Sequence, residues 1–339
     1  MDDVIISRLV ESELSAFREF CLAAWGEFHP LVHDERMFDV YYRRADGLDF
    51  VCAQDGKTGE FLSVCGYIKT NSSARPDIWI SFLVSKKGAP FGLSYRLFDF
   101  IIDLTAARSI GCNNIRKKTS GLYTFRGWTF GALTQYYRLN GEFDSYTLCN
   151  IYHKDIPAVV GTSICASPVC TREELLCFED PVFSKNKPYK DVDYIAARYL
   201  DYPWFTYKLV GLSDGESPLA LVVYRIVNAG GVRVLRVVDY IGDREALPAA
   251  GRYLDGQMRE LRAEFCDWYA AGLSDCDMLR AGFIPRTLDD CNVIPNYLEP
   301  PLIKNVDFFY FTSDPDGYAV FKADGDQDRP NLISPEALK

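Results

Sequence analysis

Two short phrases in the sequence end a helix with glycine and an aromatic residue, but only one of them carries a phenol. In SGLYTFRGWTF, Tyr123 stands four residues before Gly127. In CDMLRAGFIPR, Gly282 takes the place of that glycine and Met278 that of the tyrosine. A phenol with a pKa of about 10 can donate a proton during a reaction, whereas a thioether cannot. The two phrases therefore differ in whether they could supply a proton, and the structural alternative for Tyr123 is a core aromatic whose hydroxyl bonds a carbonyl.

Histidine is the side chain that most readily accepts a proton near neutral pH, because its pKa is about 6.5. The chain has 3 histidines. His29 follows the first predicted helix in AWGEFHPLVHDERMFDVYY and is the favoured candidate base. The alternative for His29 is an exposed imidazole at an ordinary His-Pro helix stop. His33 is less favoured, and His153 is predicted to be a surface residue at the end of a strand.

These candidates lie on a pattern of helices and strands that occurs twice. The first copy has a helix (ELSAFREFCLAAW), a hairpin with Asp-Gly and Thr-Gly turns (DFVCAQDGKTGEFLSVCGYI), and a strand (DIWISFLVS). The loop KKGAPFG then leads into a second helix (LSYRLFDFIIDLTAARSIG). The second copy has a hairpin around Asp214 and Gly215, a strand (GVRVLRVVDYIG), a helix and a short helix. The repeated order indicates an internal duplication at domain scale.

The length of 339 residues is about twice that of a usual domain. We predict a first domain over residues 1–155, a linker over 156–170 rich in small residues and proline, a second domain over 171–330, and a mobile tail over 331–339. A capping box of Thr171 and Glu174 is expected to begin the first helix after the linker.

Composition excludes several classes of function. A net charge of −10 without a long Lys/Arg block argues against a nucleic-acid partner. The longest apolar run, LALVVY, is too short to cross a membrane, so no membrane partner is expected. The 11 cysteines are scattered through apolar stretches and indicate reduced, mostly buried thiols in a cytoplasmic protein. No metal site is predicted, because the cysteine spacings lack nearby histidines and the acidic tail ADGDQDRPN lacks the glycine and glutamate of a calcium loop.

The order of elements, with a glycine-bearing loop after the fourth strand, resembles the GNAT acyltransferase fold over both halves of the chain. The resemblance implies an α/β (α+β) protein with two tandem GNAT-like domains, each a mixed, mostly antiparallel twisted sheet flanked by helices. It also implies acyl-coenzyme A as cosubstrate. The coenzyme's pyrophosphate would bind the backbone N–H groups and positive dipole end of the helix that the loop opens.

The resemblance assigns roles to residues of the first half. Gly92 and Ser94 match the small positions of the family's loop, whereas Ala89 and Pro90 depart from its pattern. Tyr123 takes the place of the residue that protonates the departing thiolate. The predicted cofactor-binding set is Phe82, Leu83, Val84, Phe91, Gly92, Leu93 and Ser94, with backbone N–H groups near Val84 steadying the oxyanion. In the equivalent loop of the second half, Asp243 and Glu245 stand where the anion would bind and would repel it. The second half is therefore expected to hold the acceptor instead.

The W-x-x-x-H spacing that ends at His29 and the tail ADGDQDRPN resemble double-domain sugar acyltransferases of bacterial surface-polysaccharide gene clusters. This resemblance implies transfer of an acyl group to the amine of a nucleotide-linked (for example dTDP-linked) amino sugar, for O-antigen or capsule synthesis. The predicted acceptor-binding residues are Arg198, Asp239, Asn296, Tyr297 and Glu299. The tail is expected to be pinned through pairing of Asp324, Asp328 and Arg329. A homodimer is left open, as are two rival functions: a peptidoglycan-type aminoacyl transferase and a non-catalytic nucleotide- or glycan-binding protein.

Overall fold

The computed structural model describes residues 3–25, 30–287 and 290–330. These residues fall into two units. Residues up to Cys112, together with Pro330, form unit 1, and Asn113–Arg329 form unit 2. The boundary between the units lies within the region that the sequence prediction assigned to the first domain. The predicted tail over 331–339 lies outside the described residues.

Unit 1 contains an open sheet with helices packed against it. Its strands are β1 (Val4–Arg8), β2 (Arg43–Arg44), β3 (Gly47–Leu48), β4 (Phe50–Asp55), β5 (Phe61–Lys69), β6 (Asp77–Ser85) and β7 (Ser109–Ile115), which runs past the unit boundary. Its helices are α1 (Leu14–Trp25), α2 (Pro30–His33), α3 (Glu35–Tyr42) and α4 (Leu93–Thr105). The strand order is β1–β4–β5–β6–β7; β6 and β7 are parallel and the other neighbours antiparallel. Strands β2 and β3 form a separate pair.

Aromatic side chains from α1, α3 and β4 form much of the core of unit 1. The ring of Phe50 lies 5.1 Å from that of Phe17, 5.5 Å from that of Phe38 and 4.5 Å from that of Tyr42, measured between centroids. Gly66 in β5 makes room for this cluster, because a Cβ there would lie 2.8 Å from the Phe50 ring and 2.9 Å from the Tyr42 ring. The predicted amphipathic first helix is confirmed as α1.

Unit 2 carries a second, larger sheet. Its helices are α5 (Ser120–Thr124), α6 (Arg172–Leu176), α7 (Val192–Ile195, continued by a π-helical turn Ala196–Leu200), α8 (Leu247–Leu261) and α9 (Asp275–Arg280). Its strands are β8 (Thr129–Leu139), β9 (Cys165–Val169), β10 (Tyr207–Asp214), β11 (Ser217–Ala229), β12 (Val232–Gly242), β13 (Ala263–Ala271), β14 (Ile284–Pro285), β15 (Tyr297–Leu298), β16 (Pro301–Leu302), β17 (Phe308–Thr312) and β18 (Val320–Phe321). Single 3-10 turns in the two units cover Glu11–Glu13, Lys117–Thr119, Phe183–Lys185 and Arg244–Ala246.

The strand order in unit 2 is β17–β8–β13–β12–β11–β10–β9. Strands β12 and β13 are parallel, and the other neighbours are antiparallel. The short strands β14 and β18 pair with β8 and β13, and β15 pairs with β16. Helix α8 packs close to α9 at Gly251, where a Cβ would lie 2.0 Å from the carbonyl oxygen of Ala281.

The predicted turns and caps are present. Asp55 Oδ1 accepts the N–H groups of Lys57 and Thr58 at 2.9 Å each, which closes the β4–β5 hairpin by the side-chain turn that aspartate favours. The second predicted hairpin joins β10 to β11 through Gly215, whose φ of +59° suits glycine. Thr171 and Glu174 form the expected capping box of α6. The succession β6–α4–β7–α5–β8 recurs as β12–α8–β13–α9–β14, so the predicted repeat and the mostly antiparallel fold class are confirmed.

Candidate active site

Strands β6 and β7 begin side by side and then part. They pair over three residues, Asp77–Trp79 with Ser109–Gly111. The buried carboxylate of Asp77 fixes this start, accepting from Arg108 Nε at 3.0 Å and from Ser109 Oγ at 2.7 Å. Beyond Trp79, β6 continues to Ser85 while remaining paired with β5 on its other side. Among the described residues, this stretch of β6 has no further ladder to β7.

The alternation of an antiparallel ladder shows which N–H groups face that edge. The N–H of Lys86 donates to the Leu62 carbonyl at 2.8 Å. Because hydrogen-bonded pairs recur at every second residue, the N–H of Val84 also points to β5. The N–H groups of Leu83 and Ser85 therefore point to the side from which β7 has diverged. Of the side chains predicted here, Phe82 and Val84 are buried and Leu83 is half-buried.

The loop from β6 into α4 presents backbone rather than side chains. Gly88 and Gly92 have φ values of +85° and +80°, and a Cβ at Gly88 would meet no atom within 4 Å. Gly92 is the N-cap of α4, and no side chain caps the helix. Of the first N–H groups of α4, those of Leu93 and Tyr95 donate to the carbonyls of Pro90 and Gly92 at 3.3 and 3.0 Å. The positive end of the helix dipole still makes this end suited to an anion. Leu93 anchors the turn in the core, whereas the Phe91 side chain is 92% exposed.

The two helix phrases fold in the same way. The N–H of Trp128 donates to the carbonyl of Tyr123 at 3.1 Å, and the N–H of Phe283 donates to that of Met278 at 2.9 Å. Gly127 and the glycine of the second phrase have φ values of +75° and +80°, the left-handed geometry that ends a helix. Tyr123 and Met278 therefore occupy equivalent positions.

The surroundings of the two side chains differ. Tyr123 is 4% exposed, and its ring stacks on that of Phe311 at 4.2 Å with an interplanar angle of 17°. Its hydroxyl oxygen accepts a long hydrogen bond from Thr119 Oγ1, at 3.5 Å. Met278 is fully buried in an apolar cluster that also contains Leu254 and Trp268. The Tyr123 position thus keeps a polar group at a helix end, whereas the Met278 position is part of the apolar core.

In the second half, the loop at Gly242 and Asp243 is held by hydrogen bonds within the chain. Gly242 has a φ of +131°, and a Cβ there would lie 2.3 Å from the Leu219 carbonyl oxygen. The N–H of Asp243 donates to that carbonyl at 3.0 Å, and its own carbonyl accepts from Tyr240 Oη at 2.5 Å. Glu245 pairs with Arg280 at 3.3 Å. Backbone groups that would have to meet a phosphate are thus engaged, and two carboxylates stand beside them.

Two of the predicted acceptor residues take part in buried networks within unit 2. Both oxygens of Asp239 lie within 2.8 Å of Lys190 Nζ, and Oδ2 also accepts from Tyr199 Oη at 2.6 Å. Lys190 Nζ also pairs with Asp324 Oδ1 at 2.6 Å. Burial raises the pKa of Asp324 to about 7, against the opposing effect of Lys190 and with the help of Asp239.

Arg198 binds the segment that the sequence analysis expected to be pinned. Its Nη2 donates to the carbonyls of Gln327 at 2.6 Å and Ala323 at 3.2 Å. Arg225 pairs with the carboxylate of Asp328 at 3.1 Å. Burial opposes the charge of Asp328, but Arg225 and Arg236 outweigh it and lower the pKa of Asp328 to about 2. The pinning contacts of Asp324 and Asp328 come from Lys190, which lies just before α7, and from Arg225 on β11, and Arg329 pairs with Asp326 at 3.4 Å.

The other three predicted acceptor residues lie on and beside β15. Asn296 is buried, and within the described part of the chain its Oδ1 has no hydrogen-bond partner. Tyr297 is half-buried, and Glu299 is exposed and pairs with Arg225 at 2.9 Å. Of the candidate bases, His29 lies outside the described residues, His33 is exposed at the end of α2, and the backbone N–H of His153 donates to Asn292 Oδ1 at 3.0 Å.

Sequence analysis did not single out the buried cations Lys190, Arg225, Arg236 and Lys322. A signal exists for two of them: Arg225 and Arg236 stand inside the apolar strand runs VVYRIV and RVLRVV. A charge in such a run faces the interior unless the strand is at an edge, and therefore needs a buried partner. Arg236 has one in Asp267, at 2.6 Å. The two lysines have no comparable local signal.

No protein-family model matches the chain, and no curated protein does. Solved structures share its fold. A GCN5-related N-acetyltransferase from Anabaena variabilis has a TM-score of 0.55 and 8% identity, over 91% of this chain and 72% of that one. A GCN5-related N-acetyltransferase from Kribbella flavida has a TM-score of 0.54 and 13% identity, over 91% and 70% of the two chains.

A third structure, a probable N-acyltransferase from Enterococcus faecalis, has a TM-score of 0.53 and 11% identity, over 91% of this chain and 71% of that one. At these identities the similarity establishes the fold alone. The chain has a GNAT-like fold that extends over both of its halves, as the sequence predicted. No helix in the described chain is long and apolar enough to span a bilayer.

Proposed function

We propose that the protein is an acyl-CoA-dependent N-acyltransferase. The observation that carries this proposal is the divergence of β6 from β7, followed directly by the uncapped, glycine-bearing start of α4. A thioester carbonyl and a pyrophosphate are the two groups of acyl-CoA that need backbone N–H donors. The strand edge and the helix start supply such donors in consecutive segments of one chain.

The proposed assignment of groups follows the geometry. The loop from Gly88 to Gly92 and the first turn of α4 would hold the pyrophosphate, with Ser94 in that turn and Phe91 free to pack on the coenzyme. The N–H groups of Leu83 and Ser85 would donate to the oxyanion. This sharpens the sequence prediction, which placed the donors near Val84.

Tyr123 would protonate the thiolate that leaves. A phenol with a pKa of about 10 can transfer a proton to a thiolate as it forms, even though the free thiol has a pKa of about 8.5, because the C–S bond is still breaking. Support comes from the contrast with Met278: the same helix end carries a phenol in one copy and a buried thioether in an apolar cluster in the other.

We propose that the acceptor is the amine of a nucleotide-linked amino sugar used for surface polysaccharides. Asn296, Tyr297 and Glu299 are the residues best placed to contact it, since they offer an unpaired buried carbonyl oxygen, an aromatic ring and a carboxylate. Arg198 and Asp239 would act by holding the tail and the strands behind them. The equivalent loop of the second half would not bind the coenzyme, because its backbone groups are bonded within the chain and it carries two carboxylates.

Acyl-CoA binding and turnover test the proposal in sequence. Acetyl-CoA at millimolar concentration should raise the melting temperature, because a ligand that binds only the folded state stabilises it by mass action. Release of free CoA thiol should then require a dTDP-linked amino sugar, and the same nucleotide sugar with a hydroxyl in place of the amine is the matched control. The absence of any thermal shift with acyl-CoA would exclude the transferase. Stabilisation by the sugar alone would instead indicate a binding protein.

A further inference from the structure

Two carboxylates and one ammonium meet in the interior of unit 2. Lys190, which lies just before α7, contacts Asp239 of β12 at 2.7 Å and Asp324 of the tail at 2.6 Å. The two aspartates are 0% exposed and the lysine is 2% exposed. In the described part of the chain, no second cation pairs with either carboxylate. With both aspartates ionised, the cluster would carry one uncompensated negative charge away from water, which is costly.

The hydrogen bonds show which of the two carboxylates is better stabilised as an anion. The oxygens of Asp239 accept four, two from Lys190 Nζ at 2.8 and 2.7 Å, one from Tyr199 Oη at 2.6 Å and one from the N–H of Tyr240 at 2.8 Å. Asp324 accepts one, from the N–H of Phe321 to Oδ2 at 2.7 Å. Among the described residues, its Oδ1 has no partner with the geometry of a hydrogen bond, although Lys190 Nζ is close. Hydrogen bonds favour the ionised form of a carboxylate, so a single proton belongs on Asp324.

The direct neighbours of Asp324 do not supply a second positive charge. Burial opposes the charge of Lys190, but Asp239 and Asp324 outweigh it and raise the pKa of the amine, so that Lys190 stays charged. Burial raises the pKa of Tyr199, and that phenol stays neutral. Burial also raises the pKa of Asp324 to about 7, with the help of Asp239 and against the opposing effect of Lys190. The titration thus agrees with the hydrogen bonds in placing the proton on Asp324.

The other charged side chains of the neighbouring elements have contacts of their own. Arg198 of the π-helical turn donates to the carbonyls of the tail, and Asp191 caps α7. Lys322, two residues before Asp324, has its Nζ 3.8 Å from the centroid of the Phe308 ring.

Residues 320–328, here called the docked segment, run along the strands of unit 2. The segment begins with β18, which pairs with β13. Further on, the N–H of Ala323 donates to the carbonyl of Val238 on β12 at 3.0 Å. The segment ends at Asp328, whose carboxylate is paired with an arginine of β11. Asp324 lies between these contacts, so a change in its charge acts on the middle of the docked segment.

We propose that Lys190, Asp239 and Asp324 form a pH-sensitive latch for the docked segment. When Asp324 carries a proton, the cluster is electrically balanced and the segment is held. As the pH rises, the proton leaves to solvent, the cluster gains a buried negative charge, and the segment loosens. This latch operates whether or not the protein transfers acyl groups, and it goes beyond the proposed function.

Proton linkage gives the direction of the effect. Asp324 titrates near pH 7 in the folded protein, against about 3.9 for an aspartate in an unfolded chain. The stability that its proton confers is therefore complete below about pH 4 and is lost as the pH rises through 7. Lys322 acts in the opposite direction, because burial favours its neutral form, which accumulates as the pH rises.

Hydrogen exchange tests the latch in the intact protein. After correction for the intrinsic exchange rate, protection of the peptide over residues 318–329 should fall about tenfold between pH 6 and pH 8.5. Protection of the β10–β11 hairpin should change less than about twofold. The fall should be absent in Asp324→Asn, whatever the stability of that variant, because asparagine does not titrate. Asp328→Asn is the matched control and should keep the fall, since Asp328 is ionised throughout this range.

The outcomes that would overturn the latch are specific. They are constant protection of the docked segment in the wild type, an equal fall in Asp324→Asn, or a rise in protection with pH, which would assign the titration to Lys322. A ¹³C titration of the aspartate carboxyl groups gives an answer even if the variants fold poorly. One carboxyl of the wild type should titrate near pH 7, and a wild type with no aspartate midpoint above 6 would reject the latch. Neither measurement uses acyl-CoA, so failure of the latch and failure of the proposed function are distinguishable.

Discussion

Tyr123 and Met278 occupy equivalent positions in two helix ends that are closed by the same backbone hydrogen bond, at 3.1 and 2.9 Å. The backbone repeats and the side-chain environment does not. Tyr123 stacks on Phe311, whereas Met278 lies in a buried apolar cluster that also contains Trp268 and Leu254. The duplicated fold has thus kept one backbone geometry with a phenol in one copy and a thioether in the other, and the proposed mechanism uses the phenol.

Tyr123→Phe should separate activity from stability. The substituted ring keeps its stacking on Phe311, so the melting temperature should stay within about 2 °C. Without the phenol, kcat should fall at least roughly 100-fold, because a general acid typically contributes about 10²–10⁴-fold. The measurement is CoA release under saturating acyl-CoA. Tyr152→Phe, at a solvent-exposed tyrosine, is the matched control, and equal rates in both variants would remove Tyr123 from the mechanism.

Met278→Ala, in contrast to Tyr123→Phe, should reduce the stability of the fold. The side chain is 0% exposed in an apolar cluster, and removing it leaves a cavity. The expected loss is about 2–5 kcal/mol in the free energy of unfolding, as for other buried methionines. Urea unfolding measures it, and the affinity for acyl-CoA of the folded fraction should be unchanged. A loss of acyl-CoA affinity in a stably folded variant would mean that the second half takes part in coenzyme binding.

Local sequence was sufficient for most elements of the fold. Asp55 builds its turn from its own side chain, and Thr171 and Glu174 cap α6 within one helical turn. What local sequence does not specify is which strands become neighbours. Strand β8, from the first copy of the repeat, pairs with β13 of the second and with β17 near the end of the chain. Any of several apolar strands satisfies the same alternation, so these partners are decided by the whole packed sheet.

The candidate site was predictable to a similar depth. The glycines of the loop and the phenol of Tyr123 are visible because they interrupt a repeated pattern. The ion pair of Arg225 with Asp328 is not, because the two residues stand 103 positions apart. A contact over that separation leaves no trace in local spacing.

Ser94→Asp should weaken coenzyme binding without destabilising the folded protein. A carboxylate in the first turn of α4 interacts favourably with the helix dipole, so the melting temperature should be unchanged or slightly higher. The same charge would repel the pyrophosphate and raise the Kd for CoA at least about tenfold, equivalent to about 1.4 kcal/mol. Isothermal titration measures the affinity, and Ser94→Ala is the control for loss of the hydroxyl. Undiminished affinity in Ser94→Asp would place the phosphates elsewhere.

Asp328→Asn tests what holds the tail in unit 2. The folded pKa of Asp328 is about 2, below the ordinary value of about 3.9 in an unfolded chain. Its ion pair therefore contributes stability that is complete above about pH 4 and is lost as the pH falls towards 2. Asparagine tolerates the φ of +48° at this position, so the change removes charge with little backbone strain.

The asparagine variant leaves Arg225 buried without a full carboxylate partner, and a loss of about 3–5 kcal/mol at pH 7 is expected. Urea unfolding at pH 7 and at pH 3 measures the difference in stability between variant and wild type. This difference should shrink at pH 3, because Asp328 is protonated there in the unfolded wild type and still ionised in the folded one. Asp316→Asn, at an exposed carboxylate, should be neutral at both pH values. A destabilisation of Asp328→Asn that is the same at pH 7 and pH 3 would show that packing, and not the ion pair with Arg225, holds the tail.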